Sequence, residues 1–466
     1  MNKHTTTRAK ITATAVVLLA LLAAGCGVET PEPVELTYVQ PTGEAIFSNY
    51  VAIGNSLTAG FMDGGLVMNG QVNSYPQLIA SALGYPAGSF MQPLIAMPGI
   101  GSTTLVDANY AAGVLHSDGA GIAVVDSTLR TDIPSTLLLT ARWPVAYQNL
   151  GVPGATLSDG LNATSSANSQ SPGNSYFDFV LRNSVFGGVV MCDQAASLEP
   201  TLVTCWLGNN DALGGAMSGE PVLGVNVTPP AAFAVMYEAL LDRITDKVFA
   251  RTGFEPVIIT ANVPDIASTP YFMPKATFRA MAGLPGPDTL PDANLFGEAD
   301  VVYVRFPTLS YLSPPINGSL PIPEEYTLDI AETAVVQDAV TGFNAAIATA
   351  VDERDHVHLY DAHAALAALT PGQATHFLAL VGSGLPPASA AATTYFSLDG
   401  IHPNNRGYGY VANGFIATIN EALDASIPSI DLAGLTWDPT YGVPMNEKAA
   451  AGLSPEAARA MDAIFR

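Results

Sequence analysis

Ser56 stands in Ile53-Gly54-Asn55-Ser56-Leu57-Thr58, where an apolar run is broken by glycine and followed by helix-compatible residues. That pattern puts Ser56 on a strand-to-loop turn, where a nucleophile could sit. A serine hydroxyl is weakly nucleophilic at neutral pH, so it needs an oriented base and donors aimed at the oxyanion that develops. Asp399-Gly400-Ile401-His402-Pro403 offers the base. If this segment turns as a first helical turn, the acid and the imidazole share one face. His402 would then take the Ser56 proton while Asp399 or a nearby carbonyl fixes its tautomer and supports the imidazolium. The alternative for a lone histidine is a surface or satisfied core residue.

Two further segments supply donors. Leu207-Gly208-Asn209-Asn210-Asp211 follows the apolar run Thr201 to Trp206 and reads as the end of a buried strand, so an asparagine amide there could reach an oxyanion. Asn149-Leu150-Gly151-Val152-Pro153-Gly154-Ala155-Thr156 carries glycines that let a backbone N–H face a ligand. Each alone is also an ordinary turn.

Taken together and in this order, the four segments resemble the blocks of the SGNH hydrolases, the GDSL esterase and lipase family. The resemblance implies Ser56 as nucleophile, with Asp399 and His402 completing a triad. It also implies an oxyanion hole from the Ser56 N–H, the Gly154 N–H and the Asn210 side chain. Val257-Ile-Ile-Thr-Ala-Asn262-Val-Pro264-Asp265 is similar to a strand and proline loop of larger members. One departure is Asn55, where the family name has aspartate; its carbonyl oxygen can make similar loop hydrogen bonds. The Gly-x-Ser-x-Gly elbow of α/β-hydrolases is not met, because Thr58 holds the second position after Ser56.

The elements that must carry these residues alternate. Apolar strands such as Tyr50 to Ile53 are interleaved with helical spacing at Tyr75 to Leu83, Asp329 to Val351 and Tyr408 to Leu423, which predicts an α/β fold with a parallel sheet covered on both faces. The resemblance names it as a three-layer α/β/α, flavodoxin-like SGNH fold. Ligands of such sheets sit at the carboxyl ends of strands, where Ser56, Asn210 and the second-block glycine all fall. The hydrolase domain is expected over residues 47–425, with loop-rich insertions near 84–140 and 268–325 and a tail over 426–466. Tyr271, Phe272, Met273, Phe278, Met281 and Phe296 in the second insertion either line an acyl pocket or a lid, or pack the insertion onto the body.

Residues 1–25 hold Lys3, Arg8 and Lys10, then an uncharged apolar stretch ending Leu22-Ala23-Ala24-Gly25-Cys26. This reads as a secretory signal, too short to span a bilayer comfortably. It resembles a bacterial lipobox, which implies that Cys26 becomes the lipidated first residue; the alternative is an ordinary signal with an incidental cysteine. Gly27 rather than aspartate follows, which points to an outer-membrane address. Residues 26–46, rich in proline, read as a tether.

In an exported chain Cys192 and Cys205 are expected to pair, the alternative being two separate buried thiols. Removing the signal takes the formal charge from −24 to −27, because that segment has three basic and no acidic residues. Nucleic acid is therefore not an expected partner; an acyl-ester substrate and a membrane reached through the lipid anchor are. His356, His358 and His363 lack a completing cluster of cysteine or glutamate, so no metal and no organic cofactor is expected.

Overall fold

The computed structural model describes residues 39–102, 113–119, 121–125, 137–140, 142–171, 173–313, 316–442 and 452–462. The expected signal peptide, Cys26 and most of the expected tether lie outside the described residues. Val39–Arg466 forms one compact unit.

Five buried segments build the central sheet: β1 (Tyr50–Gly54), β2 (Asn149–Gly151), β3 (Leu202–Trp206), β4 (Val257–Ala261) and β5 (Val357–Tyr360). They are all parallel and lie in the order β5-β4-β3-β1-β2. The first four are buried at every position, so each reads as a continuous apolar run rather than an alternating one. Strand order reverses at β1, whose two neighbours are β2 and β3. The crevice between the carboxyl ends of β1 and β3 is therefore the topological switch point where such sheets bind ligands.

Helices cover both faces, giving the three-layer α/β/α fold. One layer holds α2 (Tyr75–Ala82) and α8 (Asn405–Leu423), which pack together. The other holds α3 (Leu157–Asn162), α4 (Met191–Ser197), α6 (Pro230–Thr252) and α7 (Ile330–Asp352), with α6 touching the other three. The short α1 (Ser56–Ala59) and α5 (Asn210–Ser218) each start just after a strand. The sequence also marks helix starts: Asp329 and Glu332 exchange side-chain-to-backbone hydrogen bonds of 2.7 and 2.8 Å in a capping box ahead of α7.

The second insertion forms a three-stranded antiparallel sheet of Phe272–Pro274, Val301–Arg305 and Thr327–Asp329. Tyr271, Phe272, Met273, Phe278 and Phe296 are buried in the core and Met281 packs against it, so these side chains fasten the insertion to the body. The aromatics and Met273 therefore pack the insertion onto the body, while Met281 also lines an open cavity of about 980 Å³.

The expected disulfide is not formed. Cys192 on α4 gives its thiol to the Gly160 carbonyl at 3.0 Å, and Cys205 lies inside β3 between Ile53 and Thr260. Both are buried free thiols. Burial pushes both up, Cys205 to about 12, which keeps them protonated and unreactive.

Candidate active site

The nucleophile turn is built by close approach. A Cβ on Gly54 would overlap the Thr58 side chain and lie 2.8 Å from the Trp206 carbonyl, so only glycine lets β1 turn against β3 here. Asn55 then caps α1 by accepting the Leu57 N–H at 3.0 Å through its side-chain oxygen, as the replacement of aspartate by asparagine allows. Ser56 is thus the first residue of a helix, where the backbone N–H has no intrahelical partner. It is only 3% exposed.

The second block is tied to this turn. Val152 N–H donates to the Gly54 carbonyl at 3.0 Å, and Asn149 Nδ2 donates to the Thr58 carbonyl at 2.8 Å. Gly154 has φ +81°, and a Cβ there would stand 2.7 Å from Asn174 Nδ2. Asn210, at the start of α5, donates from Nδ2 to the Ala155 carbonyl at 2.8 Å. Gly154 and Asn210 therefore come together, and both line a cavity of about 620 Å³ whose wall includes Gln170, Ser171, Asn226 and Thr228. The neighbouring Asp211 locks the blocks, accepting from Leu157 N–H at 2.8 Å and Thr228 Oγ1 at 2.9 Å.

Asp399 and His402 meet, though not on a helix. Gly400 takes φ +74° and the segment closes as a turn, with Ser397 N–H on the His402 carbonyl at 2.8 Å. A left-handed glycine and the following Pro403 exclude the helical turn expected from spacing. The side chains still converge: Asp399 Oδ1 accepts the Ile401 and His402 N–H groups at 2.9 and 2.8 Å, and Oδ2 lies 3.1 Å from His402 Nδ1. Gly64 N–H adds a further bond to Oδ2 at 2.9 Å. Burial alone would raise the Asp399 carboxyl, but His402 and these donors outweigh it and hold the acid below its ordinary range. With Asp399 ionised, Nδ1 carries the proton of the pair.

Both side chains are fully buried, and Phe61, in the loop after α1, touches both the Ser56 turn and the His402 ring. Phe61 donates its N–H to the Ser56 carbonyl at 3.0 Å and packs its ring 4.5 Å from the His402 ring. Leu57, Ile401 and Pro403, each adjacent in sequence to a candidate residue, line an apolar crevice of about 90 Å³ with Trp206, Pro264 and Tyr360.

The family model described as GDSL-like Lipase/Acylhydrolase matches residues 50–415, which span all four blocks. The chain belongs to the GDSL-like Lipase/Acylhydrolase family. As a member it is a hydrolase acting on ester bonds. No curated protein matches the chain. A solved structure, "Crystal structure of LAE5, an alpha/beta hydrolase enzyme from the metagenome of Lake Arreo, Spain", is similar at 15% identity over 82% of this chain and 100% of its own, with a TM-score of 0.31.

Beyond the blocks shared with the family, sequence reading missed several residues that hold the Asp399 loop. His376 accepts the Leu378 N–H on Nδ1 at 3.1 Å, so its Nε2–H donates to the Leu398 carbonyl at 2.9 Å. Asp63, in a Met62-Asp63-Gly64-Gly65 stretch that reads only as a turn, accepts the Leu398 N–H at 2.8 Å. No spacing signal links either residue to Asp399, which lies 23 and more positions away.

Proposed function

We propose that this chain hydrolyses carboxylic acyl esters through an acyl-Ser56 intermediate. His402 Nε2 takes the Ser56 proton as Oγ bonds to the ester carbonyl carbon. The same nitrogen returns that proton to the departing alcohol as the carbon–oxygen bond breaks. A water activated by His402 then attacks the acyl-enzyme, releasing the acid and restoring Ser56. The oxyanion is held by the Ser56 and Gly154 N–H groups and by Asn210 Nδ2, whose second hydrogen is available because the Ala155 carbonyl takes only one.

The observation that carries this reading is the buried Asp399–His402 pair, with four N–H donors keeping the acid ionised and directed at Nδ1. The apolar crevice beside it, about 90 Å³, is small next to the 620 Å³ cavity on the Gly154–Asn210 side, which supports a short acyl chain over a long one. The larger cavity on the Gly154–Asn210 side carries amide and hydroxyl groups, which favours a polar alcohol. That observation supports a second reading as a carbohydrate acetylesterase. The lipobox-like Leu22 to Cys26 segment supports export and anchoring through a lipid on Cys26 at the outer membrane.

The test is a p-nitrophenyl ester series from acetate to palmitate, with the chain beginning after Cys26 and its Ser56→Ala variant. Activity greatest on short chains and abolished in the variant is expected. Activity confined to acetate would select the acetylesterase. A folded wild type that hydrolyses no ester and does not take up a fluorophosphonate on Ser56 would sink the reading in favour of a binding lipoprotein.

A further inference from the structure

After α8 the chain doubles back along that helix. Asn420 and Ile427 exchange two hydrogen bonds of 2.9 and 2.8 Å, and Asn413 and Ile430 exchange two of 3.0 and 2.6 Å. Arg406 Nε then donates to the Leu435 carbonyl at 3.0 Å and Asn405 Nδ2 to the Thr436 carbonyl at 2.6 Å. The rungs descend the helix as the strap ascends in number, so residues 425–441 run from the end of α8 toward its start. That start directly follows the Asp399–His402 turn.

The strap delivers two donors to one buried acid. Trp437 Nε1–H and the Tyr441 hydroxyl both reach Oδ2 of Asp63, at 3.1 and 2.6 Å. Asp63 is fully buried, and the ion pairs found among the described residues do not include it. Its other oxygen accepts the Leu398 N–H, and its own N–H donates to Ser397 Oγ at 3.1 Å. The next residue, Gly64, donates to Asp399 itself. Asp63 thus grips the backbone just before Asp399 while the adjacent residue grips the Asp399 carboxylate.

The arrangement is costly. Burial, outweighing the three donors and joined by the Asp399 charge, pushes Asp63 up to about 7. Asp63 and Tyr441 both adopt left-handed backbone, at φ +54° and +49°. Such conformations are strained for residues other than glycine and persist where surroundings over-determine them, most often at functional sites.

We propose that Asp63 is a positioning residue for the Asp399–His402 pair, and that the C-terminal strap serves the pair by presenting Trp437 and Tyr441 to it. The proposal rests on the triad reading given above. Without the Tyr441 hydroxyl, Oδ2 keeps one donor, the grip on Leu398 loosens, and the backbone carrying Asp399 drifts. Displacements near 1 Å at a reacting centre cost about a hundredfold in rate. Substrate binding elsewhere is untouched, so kcat falls and KM holds.

The experiment compares Tyr441→Phe, Asp63→Asn and Asp63→Ala with wild type in the chain beginning after Cys26, reading kcat and KM on a short-chain p-nitrophenyl ester, fluorophosphonate labelling rate and Tm. Tyr441→Phe and Asp63→Ala are expected to lower kcat and the labelling rate together, about tenfold or more, with KM within about twofold. Asp63→Asn, which keeps an acceptor for the Leu398 N–H, should recover part of the Asp63→Ala loss. Should Asp63→Ala not fold, Tyr441→Phe carries the test, since it removes a single oxygen. A lower Tm with kcat unchanged, or a change confined to KM, would overturn the proposal. An inactive, unlabelled wild type would instead remove the triad reading, and this inference with it.

Discussion

Asn210 has two hydrogens on its side-chain nitrogen and gives one to the Ala155 carbonyl, which orients the other. Removing a preorganised donor of this kind costs on the order of 3 kcal/mol in the barrier, so Asn210→Ala should lower kcat by about a hundredfold with a cooperative melt retained. Gly154 gives a sharper check on the same proposed oxyanion hole. Its positive φ strains an alanine there, and the Asn174 amide 2.7 Å from an added Cβ has to give way, so Gly154→Ala is expected to disturb the turn that carries the N–H. We expect kcat to fall more than KM rises; a change in KM alone would argue that the Gly154 N–H contacts substrate elsewhere. At this scale the family blocks were legible because serine, glycine, asparagine, aspartate and histidine stand in short runs with fixed offsets. Asp63 was not, because its partners Trp437 and Tyr441 lie 374 and 378 positions away.

The elements add a constraint that the motifs do not contain. β1 and β3 are paired with Gly54 opposite Trp206, and this register brings the turn holding Ser56 beside the turn holding Asn210. A one-residue slip would exchange the faces of a strand. The apolar crevice is likewise a product of elements, formed where the turns of β1 and β3, the helix Ala362–Ala367 and α8 meet. Ala365 on that helix lines it, so Ala365→Phe should suppress butyrate hydrolysis while acetate turnover persists, measured as kcat/KM on the two p-nitrophenyl esters. Equal losses on both esters would show that the acyl chain lies elsewhere. Helix and strand spans read from apolar periodicity fell within a few residues of those formed, as at Tyr75–Ala82 and Ile330–Asp352. The Asp399–His402 turn escaped, because three-residue spacing suits a helix and a glycine-bearing turn equally.

Across the whole molecule, the loop carrying Asp399 and His402 is held in part by a histidine whose charge state depends on folding. His376 is buried, and burial lowers it to about 4 from an ordinary 6.5. A group lowered on folding contributes its full share above about pH 6.5 and loses it as pH falls toward 4. Wild type should therefore lose about 2 kcal/mol from this group between about pH 7.5 and about pH 5. His376→Gln keeps an N–H for the Leu398 carbonyl and removes the titration. Its urea midpoint should gain on wild type as pH falls; a difference constant with pH would refute the assignment.

Taken by itself, the amino-acid sequence determined the parallel α/β class, the order of the four blocks and the residue types at the proposed site. These depend on hydrophobic period, on glycine where chains approach closely and on short-range offsets, all local properties. Only the tertiary structure decided that Cys192 and Cys205 stay apart, that the insertion aromatics pack inward and that the tail returns to the loops around Asp63 and Asp399. That return depends on Asn405, Asn413 and Asn420, spaced to share one face of α8. In sequence such residues look like ordinary surface amides. What they bind is settled by where a distant segment comes to lie, and that is a property of packing rather than of spacing.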